Sequence, residues 1–438
     1  MTTKRRALLG GTLAPAVGTL AACAASGGGG GTPGSTRPAV TLEFWSRMGQ
    51  GASRSYVETG EFEDRRLAVF AEQRAPVKVN RTVVSNGDEL LQKLTVAFVG
   101  GTGPDVFNIG SPGIAQLAAP GFVLPLDGDP RVKREAGDFF QSGLSIGTYK
   151  QKLYGLTYYA DMRLMIYRKD RLAEAGLPTE RKSLPRTWEQ LVEVGKKLAR
   201  WEGGQMTRFG FGVPRNDESF WLMMVKQLGK EMLSPDLTRA QFDGPEGERA
   251  LQTIVDFIHR DRIDAFERPN PPNGVTVLAT DIAGSAWDNS QQIGNVAAAN
   301  LDPARVLVTD FAPEFTPRET ATGYLGGTWV LAGKQNKSAD STVDLLLFLA
   351  SPEQLTGVTQ AFSAVPPRRS MDKTVTDPLL RPFYEAQDKG WSVPGHPKFS
   401  QLRVKIREVV LQAMRREKSV KEAVSEMAAF TNTTVNSA

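Results

Sequence analysis

A chain of 438 residues with 40% hydrophobic content is long enough to bury more than one core, and ordinary domain sizes point to two or three. Its formal net charge is +5, but Lys4, Arg5 and Arg6 lie in the first ten residues, so the remainder carries only +2. No dense Lys/Arg block interleaved with aromatics occurs, and no apolar run beyond the N-terminus is long enough to cross a bilayer, which argues against nucleic-acid binding and a multispan membrane protein.

The first residues, MTTKRRALLGGTLAPAVGTLAAC, combine a basic start with a short Gly/Ala-rich apolar stretch ending in small residues, the pattern of an export signal. Cys23 is the single cysteine of the chain, so no intrachain disulfide can form. Removal of residues 1–22 from 438 leaves 416, beginning at that thiol. Residues 26–38, SGGGGGTPGSTRP, lack apolar side chains and read as a flexible tether, placed within 23–39.

Beyond the tether, the alternation in VTLEFW at 40–45 predicts a strand, and the spacing of apolar residues from about Glu61 to Ala75 predicts an amphipathic helix. A strand over 77–84 follows, then a helix capped at Ser85 to Asp88 with Leu90, Leu91, Leu94 and Phe98 on one face. Gly100 and Gly101 stop that helix, and PDVFNI at 104–109 predicts a short buried strand entering a Gly/Pro loop. The glycines at 100–103 precede a strand instead of opening a helix, and no Gly-Lys-Ser/Thr follows, so they do not form a phosphate loop.

The stretch Lys152 to Asp170, KLYGLTYYADMRLMIYRKD, places two β-rich runs around a polar centre of Tyr158, Tyr159, Asp161 and Arg163. It predicts a strand crossing between two lobes with that centre facing a cleft. Thr187 to Gln190 is a capping box ahead of a helix carrying Trp188, Leu191, Val192 and Leu198. Phe209–Val213 predicts a strand, the residues around Phe220 to Met224 an apolar helix, and Leu251–Ile258 another. Residues 269–274, PNPPNG, predict a loop, and IAGSAW at 282–287 and YLGGTWV at 324–330 predict strands. Residues 343–350 predict a helix, and AVPPRR at 364–369 cannot be a central strand because proline cannot donate to a ladder. Two helices close the chain, the second opened by a capping box at Ser419 to Glu422.

Catalytic signatures are absent. The two histidines, His259 at a charged helix end and His396 in a loop, read as ordinary surface or capping residues, and neither H-E-x-x-H nor G-x-S-x-G occurs. What remains at predicted strand ends and loops is a set of aromatics and hydrogen-bonding groups suited to a neutral polar ligand: Trp45, Ser46, Asn108, Asp161, Arg163, Trp287, Asp288 and Trp329.

In order and spacing, VTLEFWS, LTVAFVGGTGPDVFNI, KLYGLTYYADMRLMIYRKDRLAEAGL, PRTWEQLVEVGKKL, IAGSAW, GGTWVLAGKQNKSADSTVDLLLFLASPEQ, AVPPRR and SVKEAVSEM span nearly the whole chain after the tether. Together they resemble the bacterial extracellular solute-binding proteins of the maltose- and oligosaccharide-binding kind, the substrate receptors of ABC importers. Leu20, Ala21 and Ala22 before Cys23 resemble the bacterial lipoprotein signal, in which the thiol is lipidated and becomes the new N-terminus.

The resemblance implies an α/β, two-lobed periplasmic-binding-protein-like fold with a discontinuous hinge. One lobe would comprise 40–160 with 323–364 and the other 161–322 with 365–438. It implies a monomeric receptor, not an enzyme and without a cofactor, anchored at the extracellular face of the cell membrane or lying in the periplasm, and handing a carbohydrate to an importer permease. The residue reading and the resemblance together give the expected ligand-binding set Trp45, Ser46, Arg47, Asn108, Ile109, Asp161, Arg163, Glu218, Trp287, Asp288, Gly327 and Trp329. Within it, Asp161 falls where relatives carry a carboxylate that hydrogen-bonds sugar hydroxyls, and Trp287 where they carry a stacking tryptophan. Ser111, Pro112 and Gly113 depart from the maltose pattern, which has a carboxylate nearby, and so point away from maltodextrin. The same fold also accommodates a polyol phosphate or a peptide. Rival readings are an exported glycan-processing enzyme and a structural surface lipoprotein.

Overall fold

The computed structural model describes residues 39–49, 54–84, 86–215, 217–271, 276–316 and 323–437. The signal, Cys23 and nearly all of the tether therefore lie outside the described residues, as do Ser85, Asn216 and the end of the predicted loop at 269–274. Among the described residues no helix is long and apolar enough to cross a membrane.

The core of the fold is an eight-stranded mixed sheet. Its strands are β1 (Thr41–Ser46), β2 (Lys78–Val83), β3 (Val106–Gly110), β4 (Gly155–Arg168), β5 (Ser285–Asn289), β6 (Leu307–Asp310), β7 (Gly323–Ala332) and β8 (Gly390–Trp391). The main path runs β6-β4-β7-β3-β1-β2, with β5 on β4 and β8 on β7. β1 is parallel to both β2 and β3, joined through helices Arg54–Gln73 and Gly87–Val99, so the alternation read from the sequence builds a parallel half-sheet. β7 enters antiparallel between β3 and β4.

Two strands carry the chain between lobes. β4 is 14 residues long and buried throughout except at Asp161 and Arg163. Residues 155–159 of β4 pair with Thr328–Leu331 of β7, and its second half pairs with β5 and β6. One residue, Tyr158, is skipped in the ladder opposite Thr328 and Trp329. Such a bulge re-aims side chains, and here Tyr158 and Tyr159 both enter the same first-lobe core. Gly327, at φ +134°, sits beside it, where a Cβ would lie 2.3 Å from the Tyr159 carbonyl oxygen. Only glycine accommodates that crossing of two backbones.

The buried apolar residues divide accordingly. One lobe packs Leu42, Phe44, Phe70, Val106, Tyr158, Val330 and Leu346, and the other packs Trp188, Phe211, Trp221, Leu251, Phe257, Ile406 and Met427. Of the three caps read from the sequence, two form as capping boxes, at Thr187 with Gln190 and at Ser419 with Glu422. The cap of Gly87–Val99 differs: Asn86 accepts from the backbone of Asp88 and Glu89. Phe209–Val213 makes only isolated bridges, Phe209 to Ala283 and Gly212 to Ala286, because glycines at 210 and 212 and the following Pro214 prevent a continuous ladder.

Candidate ligand-binding site

Successive side chains on a strand alternate faces, so Asp161 and Arg163 project from the same face of β4. In the cross-strand row, Arg163 lies opposite Asn289 on β5 and Tyr324 on β7, and Asp161 lies opposite Gly326. Trp287, two residues before Asn289, shares that face. The Arg163 guanidinium lies 5.3 Å from the Trp287 ring centre and 5.6 Å from that of Tyr324, and it pairs with Asp217 at the N-cap of helix Glu218–Gln227. Arg163 thus covers an aromatic corner.

From the other lobe comes Arg47, in the loop after β1. Its guanidinium donates to Tyr56 Oη at 3.1 Å and Thr328 Oγ1 at 3.3 Å, and its backbone N–H donates to Asn108 Oδ1 at 2.9 Å. Burial pushes the Asp161 carboxyl above the usual carboxylate range, with Arg163 and Arg47 pulling the other way, so both arginines act on this one group. The neighbouring Asp288 is also pushed up by burial, and it accepts from Gln292 Nε2 at 2.9 Å.

Five buried polar atoms around this centre have no hydrogen-bond partner: Asp161 Oδ1 and Gln292 Oε1 as acceptors, and Trp287 Nε1, Arg163 Nε and Arg47 Nε as donors. Leaving buried polar groups unmade costs about 1–3 kcal/mol each. Native folds complete such groups with ordered water, an ion or a bound ligand. Donors interleaved with acceptors match hydroxyl groups, each of which donates once and accepts up to twice. Among the described residues no His/Cys/Asp/Glu group is arranged to hold a metal ion.

The sequence-derived set therefore divides. Arg47, Asp161, Arg163, Trp287 and Asp288 come together. Ser46 and Asn108 lie one layer behind, fully buried, with Ser46 Oγ donating to Glu63 Oε2 at 2.7 Å and Asn108 Nδ2 donating to Ser46 Oγ at 2.9 Å and Glu63 Oε1 at 3.2 Å. Their hydrogen-bonding capacity goes into holding the Arg47 loop. Ile109 is core, and Trp45 packs against the same cluster. Glu218 is paired with Arg407 of helix Phe399–Met414. Gly327 serves the strand crossing.

Trp329 departs furthest from its expected role as a stacking surface. It is fully buried, and its Nε1 donates to the Gly143 carbonyl at 2.9 Å. Trp287 is only 3% exposed, held between Arg163 and Phe220, whose ring centre is 5.1 Å away. Its indole N–H, not an open ring face, is what it offers. Tyr56, Asp217, Asn289, Gln292 and Tyr324 were not in the set; the two-residue spacing from Trp287 to Asn289 was a usable signal, and Tyr56 had none.

Residues 57–356 match the family of bacterial extracellular solute-binding proteins. The chain belongs to this family. Among the relatives of this solute-binding protein is a putative binding protein of Brucella abortus, 29% identical over 184 residues, which is 41% of this chain and 43% of that protein. The mannitol-binding protein of Pseudomonas aeruginosa is 28% identical over 305 residues, 65% of this chain and 64% of its own. The chain thus spans less than two thirds of each. The sugar-binding protein MalE from Xanthomonas citri has the same two-lobed fold, with a TM-score of 0.78 and 21% identity across 90% of this chain and 97% of that one. These are binding proteins, not enzymes.

Proposed function

We propose that this chain is the lipid-anchored, extracellular or periplasmic substrate receptor of an ABC importer, that it acts as a monomer, and that its ligand is a carbohydrate held at the Asp161 centre. The observation that carries the carbohydrate reading is the mixed set of unpartnered buried donors and acceptors contributed by both lobes, Arg47 from one and Asp161, Arg163, Trp287 and Gln292 from the other. A polyhydroxylated ligand satisfies both kinds at once. Asp161 Oδ1 accepts a ligand hydroxyl, while Trp287 Nε1 and the arginine Nε groups donate to ligand oxygens. Because these contacts come from both lobes, they form together only when the lobes are closed, and the differential affinity shifts the open–closed equilibrium. Cys23, preceded by Leu20-Ala21-Ala22, supports the anchored form.

The test is a thermal-shift screen of residues 24–438 against monosaccharides, alditols and oligosaccharides, followed by calorimetry of each hit on the Asp161→Asn variant. A sugar hit weakened at least tenfold by Asp161→Asn is the expected result. No response across the sugars, with stabilisation by a glycerol phosphate or a peptide, overturns the assignment.

A further inference from the structure

Behind the Arg47 loop, Glu63 of helix Arg54–Gln73 is buried against strands β1 to β4. Its Oε2 accepts from Ser46 Oγ and Arg81 Nη1, and its Oε1 accepts from Tyr158 Oη and Asn108 Nδ2. All four partners donate to it, an arrangement that suits the carboxylate, which only accepts. The charged and titratable groups facing it are Arg81 from β2, Tyr158 from β4 and, on its own helix, Asp64, which pairs with Arg81 at 2.7 Å. β1 and β3 contribute the uncharged Ser46 and Asn108. Helix Pro352–Phe362, packed on the same helix, directs Glu353 to Arg66 instead. Burial opposes the charge and the donors favour it, and the balance places the Glu63 pKa at about 7.

Two of the four donors carry the Arg47 loop. Asn108 Oδ1 accepts the Arg47 backbone N–H at 2.9 Å, so the Asn108 amide must keep its Nδ2 toward Ser46 Oγ and Glu63. Ser46 Oγ accepts from Asn108 Nδ2 at 2.9 Å and from the Met48 backbone N–H at 3.0 Å, which leaves its single proton for Glu63. Whichever oxygen of Glu63 takes a proton, one of its donors must turn away. A reversed Asn108 amide presents its own N–H groups to the Arg47 backbone N–H and breaks that bond. From this loop the Arg47 guanidinium reaches Thr328 and Tyr56 and acts on Asp161.

We propose that Glu63 is a proton-operated positioning residue for the binding centre: as the carboxylate it fixes Ser46, Asn108 and through them the Arg47 loop, and on protonation it releases that loop and lowers ligand affinity. The proposal rests on the placement of the ligand at the Asp161 centre and not on the chemical class of the ligand. Because the bound state favours the carboxylate, affinity falls as pH falls through the neutral range, and binding below that range expels a proton.

The experiment uses residues 24–438 of wild type, Glu63→Gln and Tyr158→Phe. NMR follows the Arg47 backbone amide from about pH 5.5 to 8, and calorimetry measures the affinity for mannitol, maltose and glycerol 3-phosphate over the same range. In wild type the Arg47 amide should titrate near neutral pH. Tyr158→Phe removes a bond that favours the carboxylate, so its midpoint moves to higher pH, and Glu63→Gln abolishes the titration. Affinity for a probe that binds should fall about tenfold from pH 8 to 5.5 in wild type, and less than about threefold in Glu63→Gln, where Asp161 and Asp288 supply the remainder. A wild-type Arg47 amide that does not move, or a pH profile of affinity that Glu63→Gln reproduces, overturns the proposal. Binding of glycerol 3-phosphate alone counts against the carbohydrate reading, and the proposal is then judged with that phosphate. With no probe bound, the amide decides: a titration whose midpoint Tyr158→Phe raises supports the proposal, and its absence overturns it.

Discussion

Glu63 is a carboxylate in the first-lobe core, 1% exposed, facing four donors: Ser46 Oγ at 2.7 Å, Tyr158 Oη at 2.9 Å, and Asn108 Nδ2 and Arg81 Nη1, both at 3.2 Å. Burial is the largest influence on it and pushes its pKa from 4.5 up to about 7, against the bonds from Ser46 and Tyr158 and the charge of Arg81. The folded state therefore binds more protons than the unfolded state between about pH 4.5 and 7, and stability falls as pH rises through that window. The full difference corresponds to about 3 kcal/mol, of which about 2–3 kcal/mol is lost between pH 5 and 8. Glu63→Gln has no ionisation at this site. The stability of wild type minus that of Glu63→Gln should accordingly drop by about 2–3 kcal/mol from pH 5 to 8, measured by urea unfolding at several pH values. Groups common to both proteins cancel in the difference. A difference constant to within about 0.5 kcal/mol would refute the reasoning, showing that the four donors hold Glu63 ionised throughout.

Three further outcomes follow from the packing. Trp329→Phe leaves the Gly143 carbonyl without its donor and is expected to cost about 2–4 kcal/mol in denaturant unfolding with ligand affinity unchanged; lost affinity in a folded variant would return Trp329 to the binding surface. Gly327→Ala places a Cβ against the Tyr159 carbonyl at φ +134° and is expected to cost about 3 kcal/mol or more, whereas a loss below about 1 kcal/mol would mean that the strand crossing relaxes freely. Arg403→Ala removes an interlobe ion pair to Asp88 at 3.6 Å, with Asp88 68% exposed, and should change stability by less than about 1 kcal/mol, with the effect shrinking further in high salt.

The candidate site was legible where strand periodicity and chemistry coincided. Asp161 and Arg163 are two residues apart in an otherwise apolar strand, a pattern that marks a polar break in a buried element. Trp329 lies in an equally suggestive stretch, YLGGTWV, yet packs inward, because the bulge at Tyr158 and the register of β7 against β3 set its direction. Ser46 and Asn108 sit at strand ends where ligand contacts are common, but Glu63, carried in on the helix behind them, takes up their hydrogen bonds. His396 reads in its loop as a surface or capping residue; it is mostly buried, and its Nδ1 accepts the Lys398 backbone N–H just ahead of helix Phe399–Met414.

The sequence by itself determined the alternation of strands and helices, the capped helix starts at Thr187 and Ser419, the central strand within Lys152 to Asp170, which forms over Gly155–Arg168, and the family. These follow from period, capping chemistry and motif order, which are local along the chain. Only the tertiary structure decided which side chains meet. Arg47 and Arg163, 116 positions apart, both act on Asp161, and Trp391 comes within reach of Tyr324 through the pairing of β8 with β7. Such meetings depend on the strand order β6-β4-β7-β3-β1-β2 and on one bulge, and neither leaves a signal in the residues that it brings together.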